Sequence, residues 1–127
     1  MSNSAKSVFV FAVYLILLGI ILLLMPNVLL KLFSFPETTE VWIRVAGMLV
    51  LLIAFYYLQA ARRELTEFFQ WTVYARASVI LFFIAFVVLM DIPPALILFG
   101  AVDLLGAVWT EATLRASRKA PVQGESG

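Results

Sequence analysis

The chain has 127 residues, of which 64% are hydrophobic and 13% charged, with a mean hydropathy of +1.04 and a net charge of +1. Soluble domains run near 45–50% apolar and roughly 25% charged, so this is the composition of an integral membrane protein. With no cysteine and no histidine, disulfides, thiol redox chemistry, iron–sulfur clusters, bis-histidine haem, the commonest zinc and copper ligation and a histidine general base are all excluded.

The length suits one domain, residues 1–119, followed by a polar tail, 120–127, expected to be disordered. Crossing about 30 Å of hydrocarbon takes roughly 20 helical residues. The first qualifying segment is 8–25; it is longer than a signal-peptide core and ends in Met25-Pro26-Asn27 rather than a small-residue cleavage site. Pro26 should end it, and Asn27 should cap a short amphipathic piece from Val28 to Phe33, which Pro36 breaks. The second span covers 41–61, with Thr38 or Thr39 as its N-cap and Glu37 and Glu40 complementing its positive end.

A charged, helix-compatible link, 62–70, leads to the third span, 71–90. The fourth covers 93–112, with Asp91 as N-cap and Pro93 and Pro94 in its first turn. Only Asp91-Ile92 separates the last two spans, which must therefore form a tight hairpin. The fold class is all-α: a polytopic membrane protein built as an antiparallel up-down four-helix bundle. Met25-Pro26 closes the first span and Met90 to Pro93 the third, a weak internal echo compatible with a duplicated hairpin.

Lysine and arginine set the orientation. Lys6, Arg62, Arg63, Arg76, Arg115, Arg118 and Lys119 fall on one side, and Lys31 and Arg44 on the other, seven against two. The positive-inside rule then puts both termini in the cytoplasm. Trp42 marks the outer boundary, and Trp71, Tyr74 and Trp109 the inner one. None of the basic residues forms a patch that could follow phosphates, so nucleic acid is not an expected partner.

Asp103, in the apolar run from Pro93 to Val108, is the residue that asks for an explanation. A carboxylate at the centre of a span costs about 2.5–3.5 kcal/mol on translocon scales and faces protein or a wet cavity. Gly100, Asp103, Ala107, Thr110 and Arg115 share one helical stripe, with Gly106 and Glu111 beside it. Small residues there let another helix approach closely. Asp103 is then either half of a structural pair or a site for a proton or ligand. Arg44, about one turn inside the outer end of the second span, is the candidate cation at its level; Arg76 lies at the depth of Glu111 on the cytoplasmic side. Tyr56, Tyr57, Gln59, Tyr74, Thr110 and Glu111 either line an inward-facing polar pocket or sit at headgroup level. The eleven phenylalanines read as lipid-facing or core filler. No phosphate loop or nucleophile elbow occurs, so an enzyme is not expected, and no cofactor or metal is implied.

Leu18-Gly19, Met25-Pro26, Arg44-Val45-Ala46-Gly47, the run Tyr56-Tyr57-Leu58-Gln59-Ala60-Ala61-Arg62 and Asp103-Leu104-Leu105-Gly106-Ala107 resemble the DoxX-like group of small bacterial four-helix membrane proteins over residues 8–115. The resemblance implies an inner-membrane four-helix bundle and carries over no catalytic residue. The expected role is a non-enzymatic accessory subunit or small lipophile-binding protein. Its partners would be the bilayer and, through small-residue seams, a second copy or another membrane protein. The alternative is a small proton-coupled transporter using Asp103. The small multidrug resistance exporters are of similar size, but they carry their essential glutamate in the first helix, and segment 8–25 here has no acid.

Overall fold

The computed structural model describes residues 1–119, so the tail expected at 120–127 lies outside the described residues. Five helices follow one another: α1 (Asn3–Leu24), α2 (Pro26–Leu32), α3 (Trp42–Arg62), α4 (Thr66–Met90) and α5 (Leu96–Lys119). All but α2 are long and apolar enough to cross a membrane. At 1.5 Å per residue the 22 residues of α1 span about 33 Å, a full hydrocarbon thickness. The outward surfaces are too apolar for water: Leu17, Leu52, Leu81, Val88, Leu89 and Leu105 are all exposed and face lipid.

The spans run longer than their apolar cores because polar residues at the membrane edges continue the helices. Ser2 caps α1, its side chain accepting from the Ala5 N–H at 3.0 Å. The 62–70 link is mostly helix: α4 begins at Thr66, and only Arg63, Glu64 and Leu65 turn the chain, Glu64 taking a positive φ of 54°. Three expected caps are corrected. Asp91 closes α4 in the left-handed conformation (φ 54°, ψ 46°), which a short polar side chain tolerates, and does not cap α5. Helix α5 starts after the prolines, because a residue before proline is pushed out of the α region. Its entry is a tight turn in which Leu96, Ile97 and Leu98 bond to Pro93, Pro94 and Ala95. Val41, not Thr38 or Thr39, stands at the start of α3, and Asn27 accepts from the Thr38 N–H at 2.8 Å, tying down the outer loop instead of capping α2.

Two hairpins organise the bundle. Helix α1 packs along α3, and α4 along α5; α1 then joins the halves through α5 and, more lightly, α4. Glycines set the first pairing. A Cβ on Gly47 would stand 2.7 Å from the Leu23 nitrogen, and one on Gly19 would stand 3.0 Å from the Gly47 oxygen, so the two backbones touch there. Gly100 does the same for the second hairpin, against Ile80. Around the bundle the order is α3, α1, α5, α4, and along most of its length the ring does not close: α3 meets α4 near the turn that joins them, where Tyr57 stands edge-on to Phe68 at 5.7 Å.

Both described ends lie on one face with the α3–α4 turn. The Ser2 N–H donates to Glu64 at 2.8 Å, and Arg118 donates to Gln70 at 3.2 Å. Hydrogen bonds from Ser2, its side chain first and then its backbone, hold the Glu64 carboxyl below the ordinary carboxylate range.

Candidate functional site

The most buried charged group among the described residues is Arg76, on the same face of α4 as Phe69, Thr72 and Val73, and only 3% exposed. One helical turn places Thr72 beneath it. The guanidinium Nε donates to the Thr72 carbonyl at 3.3 Å, and Nη2 donates to Thr72 Oγ1 at 3.0 Å and to Thr110 Oγ1 of α5 at 2.8 Å. Thr110 Oγ1 lies 2.8 Å from Ser7 Oγ of α1, which itself donates to the Ser4 carbonyl at 2.7 Å.

A hydroxyl has one proton to give. Ser7 spends its proton on Ser4, so Thr110 must donate to Ser7 and accept from Arg76. A directed chain, Arg76 to Thr110 to Ser7 to Ser4, thus stitches α4, α5 and α1 together in the buried interior. The guanidinium also stacks over the Phe11 ring at 4.7 Å and stands 5.9 Å from the Tyr57 ring. One atom is left over: among the described residues Arg76 Nη1 has no hydrogen-bond partner, and it is buried beside Gly106, where a Cβ would come within 3.2 Å of it.

Next to this group opens a cavity of about 800 Å³ between α3 and the α4–α5 hairpin, within the size range of small-molecule sites. Arg76, Asp103, Tyr57 and Tyr14 supply its polar end. The remainder is aliphatic and aromatic, running out towards α2 past Val50, Phe83 and Phe99 to Phe33. Seven of the eleven phenylalanines (Phe11, Phe33, Phe35, Phe82, Phe83, Phe86 and Phe99) lie on its wall. Because the ring is unclosed between α3 and α4, the cavity faces the bilayer on that side.

Asp103 is half-buried on the cavity wall and, among the described residues, makes no ion pair or hydrogen bond. The cation that shares the cavity wall with it is Arg76. Arg44 does not reach it: its Nη1 donates to the Leu23 and Leu24 carbonyls, neutralising the C-terminal end of α1. Arg76 and Glu111, expected at similar depth, do not pair either. Glu111 accepts from Arg115 at 2.8 Å, from Gln70 at 2.9 Å and from Arg118 at 3.5 Å, a network at the membrane edge. Tyr56 and Tyr74 are 61% and 67% exposed and face outward, and Gln59 is exposed too, whereas Tyr57 turns inward. On α5 the buried stripe is Gly100, Ala107, Thr110 and Leu114, with Arg115 outside it.

Residues that sequence reasoning did not single out are Ser7, Phe11, Tyr14 and Thr72. Thr72 carried a signal, standing four residues before an intramembrane arginine. Ser7, separated from Thr110 by 103 positions, carried none. Comparisons with protein-family models, curated proteins and solved structures give no match.

Proposed function

We propose that this chain is a bacterial inner-membrane protein of the DoxX-like kind, with both termini cytoplasmic, that binds a small lipophile between its two hairpins without catalysing a reaction on it. The observation that carries this reading is the cavity: about 800 Å³, walled by phenylalanines and ending on a fixed arginine. A bundle needing only to stand in a membrane would gain from closing α3 onto α4, since an unfilled space forfeits packing contacts. Here the polar end is held rigid instead, by hydrogen bonds from three helices. Rigid polar placement at the end of an apolar chamber is how a site fixes a ligand's orientation. The lipid-facing gap between α3 and α4 supplies the entrance. The basic residues on the face of the described ends and the α3–α4 turn, six against two once the buried Arg76 is set aside, support the orientation.

The test is native mass spectrometry of the full chain released from its own membrane. A retained apolar molecule is expected on the native protein and its loss on Val50→Trp, which fills the chamber from α3. Equal retention by both would remove the cavity from the account.

One observation favours the transporter reading as a runner-up: Asp103 stands on the cavity wall and, among the described residues, makes no ion pair. Proton-driven uptake of a lipophilic dye into proteoliposomes, abolished by Asp103→Asn, would establish it. Equal uptake with and without the protein would dismiss it.

A further inference from the structure

A second opening lies on the outer side of the α4–α5 seam. It is a groove of about 400 Å³ between Val73 and Ala77 of α4 and Leu104, Val108 and Ala112 of α5, and it shares no lining residue with the interior cavity. Val108 and Ala112 are exposed, so the groove opens to lipid. Its walls are apolar except at one end, where Glu111 and Arg115 stand at the membrane edge. From Leu104 to Arg115 helix α5 rises about 16 Å at 1.5 Å per residue, half of the roughly 30 Å of hydrocarbon. The groove therefore reaches from one membrane edge to the bilayer middle, the depth of a single leaflet.

The polar end is basic. Glu111 accepts from Gln70, Arg115 and Arg118, so its charge is spent inside that network, and two arginines against one carboxylate leave a net positive charge. A guanidinium has five N–H donors. Arg115 commits its Nε to Glu111, and among the described residues its two Nη groups have no acceptor; both arginine side chains are exposed. Glu67, exposed in the first turn of α4, pairs with neither arginine among the described residues. A guanidinium fork matches a phosphate, and basic sites between membrane helices hold anionic lipid heads. We infer that the groove seats one anionic phospholipid, its phosphate on Arg115 and Arg118 and one acyl chain between α4 and α5. Charge decides the occupant. A zwitterionic lipid brings an ammonium that offsets its phosphate, and a second copy docked two-fold on this face would set the same basic ends side by side. The seat is independent of the interior cavity and stands or falls without it.

The experiment is competition native mass spectrometry on the full chain in detergent, with equimolar dioleoylphosphatidylglycerol and dioleoylphosphatidylcholine, which share their acyl chains. Phosphatidylglycerol should be retained about fivefold over phosphatidylcholine, the weight of about one net basic charge. Arg115→Gln with Arg118→Gln should abolish that preference; Glu111 keeps Gln70, and circular dichroism on heating checks that the fold persists. Arg62→Gln with Arg63→Gln removes the same charge from exposed positions outside the groove and should leave the preference in place. Ala112→Trp fills the groove from its lipid side and should lower phosphatidylglycerol retention without displacing a lipophile from the interior cavity. Equal retention of the two lipids by the native protein would overturn the inference, as would an equal loss of preference in both arginine pairs or retention unmoved by Ala112→Trp. A dimer that Ala112→Trp dissociates would overturn it too, because a second copy would then cover the groove.

Discussion

Replacing Thr110 with valine tests the interior hydrogen-bond chain at its hinge. Thr110 is fully buried (0% exposed), and valine has nearly the same shape, so the substitution removes an oxygen without opening a hole. Two bonds go with it. The bond from Arg76 Nη2, 2.8 Å long, comes from a charged donor, a class worth about 1.5–3 kcal/mol. The bond from Thr110 to Ser7 is neutral, and side-chain bonds between membrane helices average about 0.6 kcal/mol. Arg76 Nη2 keeps Thr72 and Ser7 keeps Ser4, so neither is wholly orphaned. The expected destabilisation is about 2–4 kcal/mol. Equilibrium unfolding in mixed micelles with increasing SDS, followed by circular dichroism, measures it. Ser7→Ala loses only the neutral bonds and should cost about 1 kcal/mol. The double variant should fall short of the sum by about the Ser7–Thr110 bond. A Thr110→Val protein within about 0.5 kcal/mol of the native one, or a Ser7→Ala cost as large as that of Thr110→Val, would refute the directed chain.

Three further outcomes are expected. Gly47→Ala puts a methyl 2.7 Å from the Leu23 backbone and should cost about 1–3 kcal/mol in the same unfolding assay, whereas Ala46→Gly beside it should not disturb the α1–α3 seam; equal costs would contradict the glycine contact. Arg44→Met removes donors from the last carbonyls of α1 and should loosen that end in amide exchange without changing lipophile retention; lost retention would reinstate Arg44 as a site residue. Glu64, whose folded carboxyl is held below its ordinary range by Ser2, binds fewer protons folded than unfolded there, so its contribution is full above the ordinary carboxylate range and lost as pH falls through the folded value. Protection of the first amides of α1, their exchange measured against the intrinsic rate at each pH, should therefore fall below about pH 4 and stay flat from 6 to 8, and Glu64→Gln should abolish the acid response; a response surviving in that variant would assign it elsewhere.

Much of the architecture was legible in the sequence because membrane spanning is a local property. Length and apolarity identify a span, and the two residues between Met90 and Pro93 dictate the second hairpin. The α5 stripe was legible too, since a helix repeats its own faces. Boundaries shifted where polar residues at the membrane edge extend the helices, and where proline and a left-handed aspartate shape the α4–α5 turn. The partner of Asp103 was hidden for a different reason. Depth along a helix can be counted, but which helix stands opposite depends on how the hairpins dock. That docking rests on close approaches such as Phe11 of α1 against Gly106 of α5. Arg44 had a nearer use for its charge at the open end of α1, leaving Arg76 to face the cavity. The cavity is the least local feature of all, arising because α3 packs along α1 and touches α4 near the turn between them, at Tyr57 and Phe68.

The central claim is that this cavity holds one kind of molecule rather than bulk lipid, and photo-crosslinking asks that directly. Benzoylphenylalanine in place of Phe83, on the cavity wall, and in place of Leu81, 68% exposed on the outer face of the same helix, reports the two environments from neighbouring positions in the native membrane. The account predicts a single adduct mass at Phe83 and the mixed phospholipid masses of the bilayer at Leu81. The same phospholipid mixture at both positions would contradict it.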